Sequence, residues 1–189
     1  MFLTPDLEVD EHLTLRPASK GVLAEMLEAY HEDSQAAQTA LPWLDPEDDI
    51  RRQLRDMLYD IESQHGTDRL HFWSIHTTDN GQFVGLVGLG DELQAPQSTY
   101  NLGYWVRKGH RRNGIASRCV DVVFSWLTQR PELTTVEIAV HPHNDAGLAT
   151  AAAVCERWNG ERLPEFIGIE FNERTVPHHL HLVDVRRSE

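Results

Sequence analysis

Asn101-Leu102-Gly103-Tyr104-Trp105-Val106-Arg107-Lys108-Gly109-His110-Arg111-Arg112-Asn113-Gly114-Ile115-Ala116 reads as an apolar strand that stops at a basic, glycine-containing turn and passes at once into a helix. The helix is marked by Ile115, Cys119, Val122, Val123, Trp126 and Leu127, at offsets of 0, 4, 7, 8, 11 and 12 along one helical face. The first N–H groups of a helix have no intrahelical partner, and the macrodipole places partial positive charge there. A phosphate or pyrophosphate is the natural occupant. The rest of the chain is then the sheet and helices that hold this cradle.

With 189 residues, 40% of them hydrophobic, the chain can bury the core of one domain. A net charge of −13 argues against a general nucleic-acid or anionic-membrane binder, since both need a basic surface. Against that acidic background the turn stands out: Arg107, Lys108, Arg111 and Arg112 are four of only 17 Lys and Arg residues. A solvated loop is the bland alternative for such a run. Cys119 and Cys155 both fall inside helical patterns, which points to buried thiols in a reducing compartment. No stretch approaches the roughly 20 apolar residues of a membrane span, and no signal-like segment opens the chain, so a cytoplasmic protein is expected.

Along the chain, residues 1–12 are acidic and are expected to lie over the surface as an extension of a single domain spanning residues 13–185. Leu13 to Arg16 alternates as a first strand, stopped by Pro17. Ser19 is placed to cap a helix carrying Val22, Leu23, Met26, Leu27 and Tyr30. His31 to Ala40 has a weak pattern and is predicted to be a loop or an irregular turn of helix. Leu41-Pro42-Trp43-Leu44 is either a hydrophobic plug over the core or one wall of a substrate cleft. Asp45-Pro46 is predicted to start a helix that ends at Gly66. Strands follow near 72–76, 82–90 and 99–106, the first two joined through Asp79-Asn80-Gly81. Gly85, Gly88 and Gly90 sit within a strand, where packing or a bulge explains them better than a dinucleotide fingerprint. After the helix over about 113–129 come a strand near 136–140, an alanine-rich helix near 146–158 closed by Asn159-Gly160, and strands near 162–170 and 179–185. That order predicts an α+β domain, a mixed sheet of about seven strands flanked by helices.

The order and the turn resemble the GCN5-related N-acetyltransferase (GNAT) superfamily, whose acyl-CoA pyrophosphate motif is Gln or Arg, two residues, Gly, one residue, Gly or Ala. Arg111-Arg112-Asn113-Gly114-Ile115-Ala116 fits all of its defining positions. The phrase Leu102-Gly103-Tyr104-Trp105-Val106, the Leu41-Pro42-Trp43 segment and Asn144 are similar to the ribosomal-protein alanine N-acetyltransferase branch, over nearly the whole chain. The resemblance implies a mostly antiparallel GNAT sheet and transfer of an acetyl group from acetyl-CoA to a primary amine, such as a protein N-terminus. It implies that Arg111, Arg112, Asn113, Gly114, Ile115 and Ala116 hold the pyrophosphate, that the strand ending Trp105-Val106 parts from its neighbour, and that a backbone N–H at or near Val106 meets the thioester carbonyl. It also implies a cofactor contact from Asn144; from the residue spacing itself no metal is expected.

An ammonium acceptor must lose a proton before it attacks. Here the chain departs from the family pattern. Asn101 stands where Glu is frequent, and Gly147 where Ser is frequent. Asp91, Glu92, Tyr100 and Glu137 remain as candidate bases, with Trp43 as a cleft wall. A catalytically weak acyl-CoA-binding module is the alternative reading. His141, His143, His179 and His181 lack a carboxylate or cysteine at zinc spacing and are expected to be exposed strand and loop residues. Trp43 or the last strands offer faces for a homodimer.

Overall fold

The computed structural model describes residues 3–186. Eight strands form one sheet: β1 (Leu7–Glu8), β2 (Leu13–Pro17), β3 (His71–Thr77), β4 (Phe83–Gly90), β5 (Tyr100–Val106), β6 (Thr134–Val140), β7 (Glu161–Phe171) and β8 (Arg174–Val185). Their spatial order is β1-β2-β3-β4-β5-β6-β8-β7. Every pairing is antiparallel except β5 with β6. Five α-helices flank it: α1 (Leu23–Glu32), α2 (Ser34–Ala40), α3 (Ile50–Gln64), α4 (Ile115–Leu127) and α5 (Asp145–Trp158).

The two faces of the sheet carry separate cores. One packs Ile115, Cys119, Val123, Phe124 and Leu127 of α4 and Ala151 and Val154 of α5 against Leu102, Val136, Ile138 and Val183. The other packs Met26, Tyr30, Leu54, Leu58 and Ile61 of α1 and α3 against Phe83, Leu86 and Trp105. Alternation along a strand sends neighbouring residues to opposite faces, so Leu102 and Trp105 belong to different cores. Gly88 leaves room for a ring on this second face, because a Cβ there would lie 2.1 Å from Phe72. The strand also slips register opposite Ile75 and His76, so both packing and a bulge act in this glycine-rich stretch.

Several expectations are corrected. The acidic N-terminal stretch contributes an eighth strand: Leu7 pairs with Leu15, Trp73 Nε1 donates to the Pro5 carbonyl, and Asp10 pairs with Arg118. Residues 34–40 are a true helix, capped by Asp33 accepting from the Ala36 N–H. Its apolar stripe is faint because only Ala37 is buried. The helix expected from Asp45-Pro46 starts at Ile50 instead, with Asp49 as the cap accepting from the Arg52 N–H. Asp45 to Asp48 is a separate turn, held to α3 by the Gln53 side chain, which bonds both the N–H and the carbonyl of Asp45. The strand histidines are buried, not exposed: His178 and His181 keep only 2% of their surface and His179 9%. β8 lies between β6 and β7, so both its edges are paired and it is an interior strand of the sheet. Both cysteines are free thiols; burial pushes Cys119 up to about 12. Among the described residues no helix is long and apolar enough to cross a membrane.

Candidate active site

The site begins as a defect in the sheet. Tyr100 and Asn101 of β5 pair with Val136 and Glu137 of β6, and no further residue of β5 finds a partner there. On its other edge β5 is fully paired with β4, and the Arg107 N–H donates to the Val84 carbonyl at 2.7 Å. Hydrogen bonding alternates along an antiparallel ladder, so Trp105 and Gly103 also bond to β4 while Tyr104 and Val106 turn their backbone groups to the open edge. The Val106 carbonyl is taken up there by Arg111 Nε at 2.9 Å. The Val106 and Tyr104 N–H groups therefore face a wedge-shaped gap between two parallel strands. Buried backbone groups are normally paired, which makes this edge a place for a polar, extended ligand.

The turn after β5 lies at the wide end of the gap. A short 3-10 turn, Lys108–His110, is followed by Arg112 and Gly114, both left-handed with φ of 65° and 66°. Gly114 caps α4, and no side chain bonds the first N–H groups of that helix. A Cβ on Gly114 would meet no atom within 4 Å, so the space in front of these amides is open. The four cations of the turn divide in two. Arg107 is buried and lies 3.0 Å from both carboxylate oxygens of Glu32, with Glu28 at 3.2 Å. Arg111 Nη1 bonds Asp33 at 2.7 Å. These guanidinium groups hold the Glu32 and Asp33 carboxyls below their usual range, mainly through hydrogen bonds, and staple the end of α1 to β5. Arg112 and Lys108 stay exposed beside the amides. A pyrophosphate fits this arrangement of uncapped amides, open space and two free cations.

Through the gap, on the α1–α3 face, lies a cavity of about 850 Å³. Leu41, Pro42 and Trp43 form one wall, so this segment is a cleft wall; Leu44, next to them, is the buried plug. Asp56 and Asp60 of α3, Asp91 and Glu92 after β4, and Asn101, Gly103 and Trp105 of β5 line it further. Ile169, Phe171 and His178 of the last hairpin close it.

The GNAT acetyltransferase domain model matches residues 12–154. The chain belongs to this acetyltransferase family. It is therefore an N-acetyltransferase by family, and its fold is that of the ribosomal-protein branch. It is similar to a ribosomal L7/L12 α-N-protein acetyltransferase, RimL, solved in complex with coenzyme A: 14% identity, 96% of this chain and 98% of that chain, TM-score 0.76. The ribosomal-protein-S5-alanine acetyltransferase of Vibrio fischeri superposes at TM-score 0.73 with 15% identity, over 96% of this chain and 97% of that chain. The microcin C7 self-immunity acetyltransferase, solved with acetyl-CoA and AMP, reaches TM-score 0.73 at 10% identity over 94% of each chain. No curated protein sequence matches.

Within this acetyltransferase the sequence candidates part company. Trp43, Asp91, Glu92 and Trp105 line the large cavity. The Trp105 ring packs into the α1–α3 core, on the cavity side of the sheet. Asp91 is engaged by Arg69, whereas Glu92 is exposed and faces the cavity. Tyr100 is not a cavity residue: its hydroxyl donates to the Asp68 carbonyl at 2.9 Å, in a closed cluster with His71 and Arg130. Glu137 is fully buried and accepts from the N–H groups of Gln94 and Ala95 at 2.6 and 2.8 Å and from Asn101 Nδ2 at 3.1 Å. It clamps the loop after β4 to the base of the gap.

Asn144 caps α5, accepting from the Gly147 N–H at 2.9 Å, and lines a small recess of about 50 Å³ at the gap. A Cβ on Gly147 would lie 2.5 Å from Asn144 Nδ2, so the capping amide sits tightly against this position. Tyr104, which sequence reasoning read only as part of the strand, reaches across the gap and donates to the Gly147 carbonyl at 2.7 Å. Its burial raises the phenol far above its usual value. His178 was missed altogether. It lines both the recess and the cavity. The signal was available in its parity: it alternates with His179 and His181 and so faces the other side of the sheet. Among the described residues no group of three His, Cys, Asp or Glu side chains is placed to hold a metal ion.

Proposed function

We propose that this acetyltransferase moves an acetyl group from acetyl-CoA to a primary amine, an N-terminal α-amine of a protein or a small cationic amine, by direct attack. The parted β5–β6 edge carries this reading, because it joins an anion-binding helix terminus on one face to a roomy cavity on the other. Bound acetyl-CoA would supply the thioester carbonyl as the electrophile. The amides of Ile115 and Ala116, with Arg112 and Lys108, would hold the pyrophosphate. The Val106 N–H, aimed into the gap and held there by the Arg111 bond to the same residue's carbonyl, is placed to stabilise an oxyanion. Asn144 and Tyr104 set the opposite wall through the first turn of α5.

The acceptor side supports a cationic amine. Asp56, Asp60, Asp91 and Glu92 line the cavity with Arg52 as the one Lys or Arg among its described walls, and Arg52 is paired with Asp48. Anionic walls raise the local concentration of a cation. Trp43, Phe72 and Phe171 supply apolar surface beside them. The reading is tested by release of free thiol from acetyl-CoA with a panel of peptides bearing free N-termini, polyamines and aminoglycosides. Release stimulated by at least one amine is expected. Tight CoA binding with no stimulation by any amine would replace this reading with that of an acyl-CoA-binding module.

A further inference from the structure

Asn101 has no basic lone pair, Tyr100 and Glu137 are committed elsewhere, and Asp91 is paired with Arg69, which leaves exposed Glu92 and buried His178 as proton acceptors on the cavity wall. The proton of an acceptor ammonium still needs a destination. His178 keeps 2% of its surface, yet it is a wall of both the recess at the gap and the acceptor cavity. Its Nδ1 lies 3.0 Å from the Val176 carbonyl, which can only accept, so Nδ1 carries the proton. Nε2 is then a bare lone pair, and it has no hydrogen-bond partner among the described residues. The ring it belongs to lines both the recess and the cavity, and Nε2 itself is not sealed off from solvent.

Resting on the acetyltransferase reading above, we infer that His178 is the general base of this enzyme, taking a proton from the acceptor ammonium on Nε2. The acceptor gives one N–H proton to Nε2 and keeps the electron pair. That pair forms the new C–N bond while the C–S bond breaks. The second proton of the amine passes to the leaving sulfur, and His178 returns its own proton to water. The hydrogen bond from Nδ1–H to the Val176 carbonyl fixes the tautomer and the ring orientation, as an orienting partner does for other histidine bases.

The surroundings are consistent with a neutral resting imidazole. His141, on the loop between β6 and α5, meets the ring edge-on at 5.7 Å, and Phe171 of β7 lies at 5.8 Å. Burial lowers the His178 pKa, the bond to Val176 opposes this, and His141 lowers it further. The charged groups facing the same cavity are Asp91 and Glu92 after β4, and Asp56, Asp60 and Arg52 of α3.

The test uses the full chain, acetyl-CoA and whichever amine stimulates thiol release. His178→Gln is expected to lower kcat about 100-fold while leaving acetyl-CoA affinity, measured by calorimetry, within twofold. The residual rate of the variant is expected to climb tenfold per pH unit up to the acceptor's own pKa, about 8 for an α-amine. The wild type is expected to lose rate only below the His178 pKa. Nitrogen-15 NMR of the wild type at neutral pH is expected to show His178 neutral with the proton on Nδ1, a readout independent of turnover and of whether the variant folds. A protonated ring or an Nε2–H tautomer would overturn the proposal. So would equal kcat in folded His178→Gln, with the transferase reading left standing. Absence of thiol release by the wild type with every amine would overturn that reading and the base role with it.

Discussion

The β5–turn–α4 segment and the cavity on the α1–α3 face meet at Gly103 and Tyr104, and they are built in opposite ways. The first is one continuous run of chain in which each part is fixed by its neighbours: Arg111 bonds the Val106 carbonyl five residues back, and Gly114 starts the helix that follows it. The second collects Trp43, Asp60, Glu92, Asn101, Phe171 and His178 from segments far apart in sequence. On the proposed reading, cofactor recognition is a property of local backbone geometry, and acceptor recognition a property of how the sheet is ordered. The two halves are mechanically joined by Arg107 with Glu32 and Arg111 with Asp33, since Asp33 also caps α2, which leads into the Leu41–Trp43 wall.

The largest effect is expected where the local half depends on one backbone conformation. Gly114 has φ of 66°, which costs an L-residue about 1–2 kcal/mol, and its Cβ would enter the open space before the helix amides. Gly114→Val is therefore expected to weaken CoA binding at least 30-fold by calorimetry, while thermal stability falls by no more than the strain. Unchanged affinity would break the assignment of this turn as the cradle.

A second test separates clamp from chemistry in the dispersed half. Glu137→Gln replaces a buried carboxylate that accepts two backbone N–H bonds with an amide that can accept only through one atom. Hydrogen bonds to charged groups are worth about 1.5–3 kcal/mol, so a loss of about 3 kcal/mol is expected. For a chain of this size that is a drop in Tm of roughly 6–12 °C. Below that Tm, kcat is expected to stay within about threefold of wild type. A collapse of kcat at unchanged Tm would make Glu137 the base instead.

The smallest effect is a pH dependence of stability. Burial lowers the pKa values of His71, His178 and His181 below the ordinary 6.5. Between 6.5 and those lowered values the unfolded chain binds more protons than the folded one, so stability is full above 6.5 and is lost as pH falls through the folded pKa values. Tm is expected to be level from pH 8 to 7 and to decline steadily below about 6.5. His71→Gln and His178→Gln are expected to flatten that decline, each by its own share. A Tm that rose on acidification from 7 to 5.5 would contradict neutral buried imidazoles.

Much of this architecture was legible before any coordinates. The apolar runs of β3 to β5, the stripe of α4 and the Asn159-Gly160 stop all produced the expected elements, because each depends on contacts within a few residues. The errors have equally local causes. The helix over 34–40 buries only Ala37 and so leaves no stripe, and Asp49 competes with Asp45 as a cap and wins because Gln53 holds the Asp45 turn apart. Among the base candidates, Tyr100 and Glu137 could not be judged from sequence. Both are polar residues beside the right motif, and only the packing shows the first donating to Asp68 and the second clamping Gln94 and Ala95.

By itself the sequence determined the strand, the basic glycine-containing turn and the helix of the proposed cofactor half, which are written in consecutive residues, because backbone hydrogen bonding and side-chain periodicity are short-ranged. It also determined, by strand parity, which residues share a face. Tertiary structure alone decided which face carries the large cavity. The two-residue pairing of β5 with β6, the burial of β8 between β6 and β7, and the approach of His178 to the gap all follow from the order in which distant strands hydrogen-bond. No local pattern encodes that order, because it is set by which arrangement buries both cores at once.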